Sequence, residues 1–196
     1  MSHKEFLSAL AIALTFLAFL PYIRSIWSGS VKPHVFSWIT WGITTFIVFL
    51  AQVEGGGGTG AWPIGVSACI TTGIAKLAYH KRTDITINAT DWLFFVSAMT
   101  SIPLWYFTAD PVWAVVILTL VDLLGFGPTV RKSWYQPHTE SITFFSIFAT
   151  RNIIVIAALE NYSVTTTLFP VAIAIASILL VMLIIIRRHL ISIDSK

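Results

Sequence analysis

The sequence predicts an all-α integral membrane protein of seven transmembrane helices arranged 3+1+3, two parallel triple-helix repeats joined by a linker helix. Three observations carry this: composition, an internal repeat and the spacing of basic loops. Of 196 residues, 56% are hydrophobic and 11% are charged, and the mean hydropathy is +0.82. A soluble domain averages about 25% charged residues.

A spanning helix needs roughly 20 mostly apolar residues. Seven stretches qualify, at about 6–26, 36–53, 61–79, 91–108, 111–130, 141–159 and 164–187. The first follows Ser2-His3-Lys4-Glu5 and runs without a small-residue cleavage site into Pro21, so it reads as a retained helix rather than a signal peptide. Pro33-His34 precedes the second, and Trp62-Pro63 opens the third. The fourth has no counterpart elsewhere in the chain. The fifth starts at Pro111, the sixth at Ser141, and the seventh runs into Arg187-Arg188.

The repeat relates the outer triplets. Pro21-Tyr-Ile-Arg24-Ser-Ile-Trp27 matches Pro128-Thr-Val-Arg131-Lys-Ser-Trp134 at an offset of 107. Pro33-His34-Val-Phe-Ser37 matches Pro137-His138-Thr-Glu-Ser141 at 104. The 107 offset returns for Trp62-Pro63 with Phe169-Pro170 and for Lys81-Arg82 with Arg188-His189. An odd linker helix inserts both triplets in the same orientation, so the repeats are parallel. The expected units are 1–82, the linker 83–109 and 110–196.

Loop charge sets an expected orientation. Nine of the twelve Lys and Arg residues fall in four alternating segments: Arg24 with Lys32, Lys81 with Arg82, Arg131 with Lys132, and Arg187 with Arg188 and Lys196. The positive-inside rule then puts the N-terminus outside and the C-terminus in the cytosol of a multi-pass protein. Trp27, Trp62, Trp92, Trp113 and Trp134 fall near span ends, as interfacial tryptophans do.

Several function classes are set aside. The basic residues lie between apolar runs, so the net charge of +3 is no argument for nucleic acid. The single Cys69 permits neither an internal disulfide nor a cysteine metal cluster. Glu54-Gly-Gly-Gly-Gly-Thr-Gly lacks the Lys-Ser/Thr of a phosphate loop and reads as a flexible outer connection. With no catalytic triad, paired catalytic carboxylates or clustered metal ligands in the pattern, neither an enzyme nor a cofactor or metal is expected.

Asp122 and Arg151 are the rarest features, because each lies inside an apolar span near mid-membrane. An ionised side chain there costs at least ~2.5–3.5 kcal/mol, so it pairs or faces a water-filled cavity. Their spans are consecutive and antiparallel, so the two residues can meet. One reading is a structural ion pair; the other is a pair that also binds substrate or a proton. The matching positions in the first repeat are Thr15 and Ile47. Asn152 adjoins Arg151, and Phe145 lies near it on the same span and matches Trp41. Two such aromatic faces can sandwich a flat solute or simply pack the bundle. Ser67 and Thr71 share a helix face and line either a pocket or a close helix contact. Pro21 and Pro128, at matching depths, are candidate hinges, since proline removes a helix hydrogen bond. His34 and His138 occupy matching loop positions.

The paired proline, basic loop and following serine resemble the PQ-loop clan, which includes the SWEET and SemiSWEET sugar transporters, lysosomal amino-acid exporters and the KDEL receptor. Tyr22 and Thr129 stand where that clan carries glutamine. The resemblance implies a transporter or facilitator of a small polar solute, such as an amino acid, sugar or related metabolite, working by alternating access. Asp122, Arg151, Asn152, Trp41, Phe145, Ser67 and Thr71 would line its substrate site, Pro21 and Pro128 would gate it, and Asp122 would serve any proton coupling. Expected partners are the small-molecule substrate, membrane lipid and potentially a second copy in a homo-oligomer. The alternative is a non-transporting receptor or assembly protein on the same fold.

Overall fold

The computed structural model describes residues 1–29, 33, 35–81, 87 and 89–194, without the side chains of Thr90, Pro128, Arg131, Lys132, Thr139 and residues 192–194. Of the sequence expectations, those on Lys32, His34, Arg82 and Lys196 lie outside the described residues, as do those on the side chains of Pro128, Arg131 and Lys132. Among the described residues the regular elements are all helical. They are α1 (His3–Trp27), α2 (Val35–Glu54), α3 (Trp62–His80), α4 (Ala89–Met99), α5 (Ser101–Thr108), α6 (Pro111–Tyr135), α7 (Ile142–Ala158) and α8 (Val164–Asp194). Short 3-10 turns occupy Gly58–Ala61 and Pro137–Thr139.

Four helical segments are long and apolar enough to cross a membrane: His3–Trp27, Val35–Glu54, Gly58–His80 and Val164–Ile191. Pro111–Gly127 and Ile142–Ala158 are shorter apolar stretches. Large apolar side chains stand exposed on the flanks, among them Leu17, Phe46, Leu93, Leu120, Leu124 and Leu179. Such exposure on several helices is consistent with an all-α membrane protein, where lipid covers what a soluble fold would bury.

Local chemistry explains the helix limits. Ser2 caps α1 in a reciprocal box, accepting from the Glu5 N–H at 3.1 Å while its own N–H donates to the Glu5 carboxylate at 2.7 Å. The expected fourth span is split at Thr100 into α4 and α5. Pro103, which has no N–H to give the Met99 carbonyl and crowds it, is the physical cause. Pro21 lies inside α1, which continues through it, and Pro128 lies within the α6 backbone.

The packing pairs decide where the interior lies. α2 packs along α3, and α7 along α8. α3 also contacts α1, and α8 also contacts α6, so α3 and α8 each touch both neighbours of their segment. α1 packs on α7, and α2 on α6. A buried stripe of Ser8, Ala11, Thr15 and Ala18 gives α1 a small-residue face for close approach. The core cluster includes Ala11, Val48, Ile64, Val115, Leu118, Val155 and Ile173 from α1, α2, α3, α6, α7 and α8.

The two ends of the molecule differ. At the N-terminal end, loops are stitched together. Ser8 donates to the Thr59 carbonyl at 2.7 Å, and Lys4 donates to the Leu159 carbonyl. The Thr59 N–H donates to the Glu160 carboxylate at 3.0 Å, and Asn161 donates to the Gly55 carbonyl at 2.9 Å. The glycine-rich segment is therefore not the flexible connection expected from sequence. Its glycines allow close contact: a Cβ on Gly60 would lie 2.5 Å from the Leu159 nitrogen, and Gly58 adopts φ +58 beside the Glu160 carboxylate.

The opposite, basic end is fastened twice by the same device. Lys81 donates to the Trp27 carbonyl at 3.3 Å, with its ammonium 5.0 Å from that indole. Arg187 donates to the Trp134 carbonyl at 2.9 Å, with its guanidinium 4.6 Å from that ring. Each cation satisfies a carbonyl at a helix C-terminal end and stacks on an aromatic ring.

Candidate functional site

Two helix contacts hold Arg151 and Asp122, and they are built differently. On the α1–α7 side, Arg151 is 1% exposed. Its Nε donates to Thr15 Oγ1 at 3.1 Å and its Nη1 to Asn152 Oδ1 at 3.0 Å. Its Nη2 donates to the Pro63 carbonyl at 2.6 Å and to Ser67 Oγ at 2.7 Å. The guanidinium centre lies 5.6 Å from the Phe148 ring. The supporting groups are themselves satisfied. Asn152 Nδ2 donates to the Phe148 carbonyl at 2.8 Å, Thr15 to the Ala11 carbonyl at 2.8 Å, and Ser67 to the Pro63 carbonyl at 3.0 Å. Thr71, one turn beyond Ser67, donates to the Ser67 carbonyl at 2.7 Å. Arg151 thus joins α1, α3 and α7 through neutral oxygens, the planar fork reaching acceptors that a lysine would not reach together.

On the α2–α6 side, Asp122 Oδ1 is buried and has no hydrogen-bond partner. The carboxylate does have a side-chain hydrogen-bond partner in Thr44 of α2, so it is Oδ1 alone that is left without one. Asp122 as a whole keeps partial exposure. One turn along α6, Thr119 is 3% exposed and its hydroxyl is also unpartnered. In the other direction, Gly125 leaves room for Trp41, whose Nε1 lies 3.7 Å from where a Cβ would stand. Thr119, Asp122 and Gly125 follow i, i+3, i+6 spacing and form one face of α6. Trp41 and Thr44 are likewise three apart on α2, so the two faces oppose each other in register.

The pairing of Asp122 with Arg151 expected from sequence does not form. α8 packs against both α6 and α7, and among the described residues these consecutive helices do not pack on each other. Arg151 instead finds Thr15, the residue that matches Asp122 in the repeat. Of the expected site residues, the structure gathers Arg151, Asn152, Ser67 and Thr71 at one contact and Asp122 with Trp41 at the other. Phe145 stands on α7 with its ring 5.2 Å from Phe144, and Trp41 lies 5.4 Å from Trp38. Each of these aromatic contacts stays within its own helix, and Trp41 is 36% exposed.

Sequence reasoning did not assign Thr15, Pro63, Thr44, Thr119 or Gly125 to a site. Thr15 was visible only as the repeat partner of Asp122. Thr119 carried a signal of its own, lying one turn from an intramembrane carboxylate. Among the described residues, no group of three or more His, Cys, Asp or Glu side chains is arranged to hold a metal ion. Comparison with protein-family models, with curated proteins and with solved structures found no match.

Proposed function

We propose that this chain is a seven-helix transporter of a small polar solute, working by alternating access between two triple-helix units. The units would be α1–α3 and α6–α8, with α4 and α5 as the linker. The observation that carries the reading is the α2–α6 face: a carboxylate with one buried, unpartnered oxygen on one helix, opposite an exposed tryptophan on the other. A structural charge is normally satisfied internally, as Arg151 is; an unsatisfied one marks a place where a ligand completes the bonding. The matched contacts of α1 with α7 and α2 with α6 also support two related units meeting around such a site.

The stitched N-terminal end supports a resting state closed on that side, with solute entry from the basic end. By the positive-inside rule the basic end is cytosolic, and the N-terminus lies outside. Opening at the N-terminal side would require breaking the Thr59–Glu160 and Asn161–Gly55 bonds. Pro21 and Pro128 sit in the paired helices α1 and α6, where a hinge would act. The test is flux in proteoliposomes against a panel of amines, amino acids and sugars. Saturable uptake of at least one solute supports transport. Saturable binding with no flux for any solute would identify a receptor instead.

A further inference from the structure

The two intramembrane charges leave different chemistry free, and this bears on which solute the α2–α6 face takes. The inference rests on reading that face as the solute site. Arg151 has no free role in capturing an anion. Four of its five N–H donors already reach Thr15, Asn152, Ser67 and the Pro63 carbonyl, and it is sealed from solvent. A carboxylate or phosphate would have to displace those bonds. Asp122 is the reverse case. Its Oδ1 is shielded from water with no donor, a state that costs about 1–3 kcal/mol and more for a charged group.

Thr119 points the same way. Thr15, Thr40, Thr71, Thr72 and Thr150 each donate to the carbonyl four residues back. That back-bond is the default for a threonine in an apolar helix. The Thr119 hydroxyl is buried yet makes no such bond. Two acceptor oxygens one turn apart on α6 thus lack partners, on the face where Asp122 meets Thr44 and Gly125 meets the Trp41 indole. An ammonium group has three N–H donors, no acceptor and a positive charge suited to an aromatic face.

We propose that the Thr119–Asp122–Gly125 face of α6, opposite Trp41 and Thr44 of α2, binds the protonated amine end of a small solute. Asp122 Oδ1 and the Thr119 hydroxyl accept two of its hydrogen bonds, and Gly125 keeps the space beside Trp41 open.

The test uses the full chain in nanodiscs and three two-carbon probes that differ in charge: ethanolamine, ethylene glycol and glycolate. Binding is read by thermal stabilisation and by tryptophan fluorescence, neither of which depends on flux. Ethanolamine should bind more tightly than the other two by at least about tenfold, the effect of one charge-assisted hydrogen bond. Asp122→Asn should remove that preference, and Thr119→Val should weaken ethanolamine without creating affinity for glycolate. Asp122→Ser, which also removes the charge, carries the same comparison if Asp122→Asn does not fold. Preference for glycolate, equal binding of all three, no ethanolamine binding at any soluble concentration, or a preference that survives Asp122→Asn would each overturn the proposal. So would Asp122-dependent protection by sodium chloride to which ethanolamine adds nothing, because the ligand would then be the ion. Charge-selective binding without any flux would leave this proposal standing and sink the transport reading. Flux indifferent to Asp122 would do the opposite.

Discussion

The α1–α7 and α2–α6 contacts join helices that match in the sequence offsets, yet one is closed chemically and the other is not. Thr15 and Asp122 are repeat partners, as are Ile47 and Arg151. At the first contact a charged side chain is enclosed by neutral oxygens that are themselves satisfied. At the second a carboxylate oxygen and a threonine hydroxyl are buried without partners. One contact holds a pin and the other leaves a vacancy in its hydrogen bonding. Corresponding helix pairs do not imply the same role; the state of the donors and acceptors separates them.

The sharpest way to break this contrast is at the pin. Arg151→Met removes a charge held by four hydrogen bonds. It should lower stability by about 3 kcal/mol, since bonds to charged groups contribute about 1.5–3 kcal/mol each and are not additive. Chemical unfolding in nanodiscs reads this directly, and wild-type stability would remove the pin.

The next largest effect concerns the two glycine contacts. Gly60→Val forces a side chain against the Leu159 backbone and should cost about 1–3 kcal/mol while loosening the N-terminal end. Faster labelling of a Thr59→Cys reporter in a Cys69→Ala background would show that loosening. Gly125→Ala meets Trp41 only at ordinary contact distance, so its stability should stay within about 0.5 kcal/mol of the parent.

A smaller effect comes with a predicted change of sign. Thr15→Val deprives Arg151 of an acceptor and should destabilise by about 1 kcal/mol. Thr119→Val removes a buried hydroxyl that has no partner and should be neutral or stabilising. Equal losses in thermal unfolding would erase the distinction between the contacts. The smallest expected quantity is the coupling between Asp122→Asn and Arg151→Met. Because the two residues do not touch, a double-mutant cycle should give less than about 0.5 kcal/mol.

Much of this was legible in the sequence for physical reasons. Lipid-compatible helices need long apolar runs, so helix positions could be read within a few residues, and Arg151 and Asp122 stood out against that background. The fourth apolar run read as one unbroken span, and the signal for its break at Thr100, Pro103, went unused. Which charge met which partner was not legible. Adjacency in sequence suggested that Asp122 and Arg151 meet, but α8 lies against both of their helices. The glycine-rich segment misled because glycine serves both mobility and close approach. Only the nearness of Leu159 and Glu160 shows that close approach is its use here. The Pro63 carbonyl carried no sequence signal as a ligand, since any backbone carbonyl is an acceptor.

Stability of Asp122→Leu, measured beside Arg151→Met in the same nanodiscs, tests the contrast most directly and needs no knowledge of the ligand. If Asp122 is held ready for a solute, removing a carboxylate whose buried Oδ1 has no partner should leave the unfolding midpoint unchanged or raise it. A loss as large as that of Arg151→Met would mean that Asp122 holds the fold together, and the distinction between pin and binding face would fail.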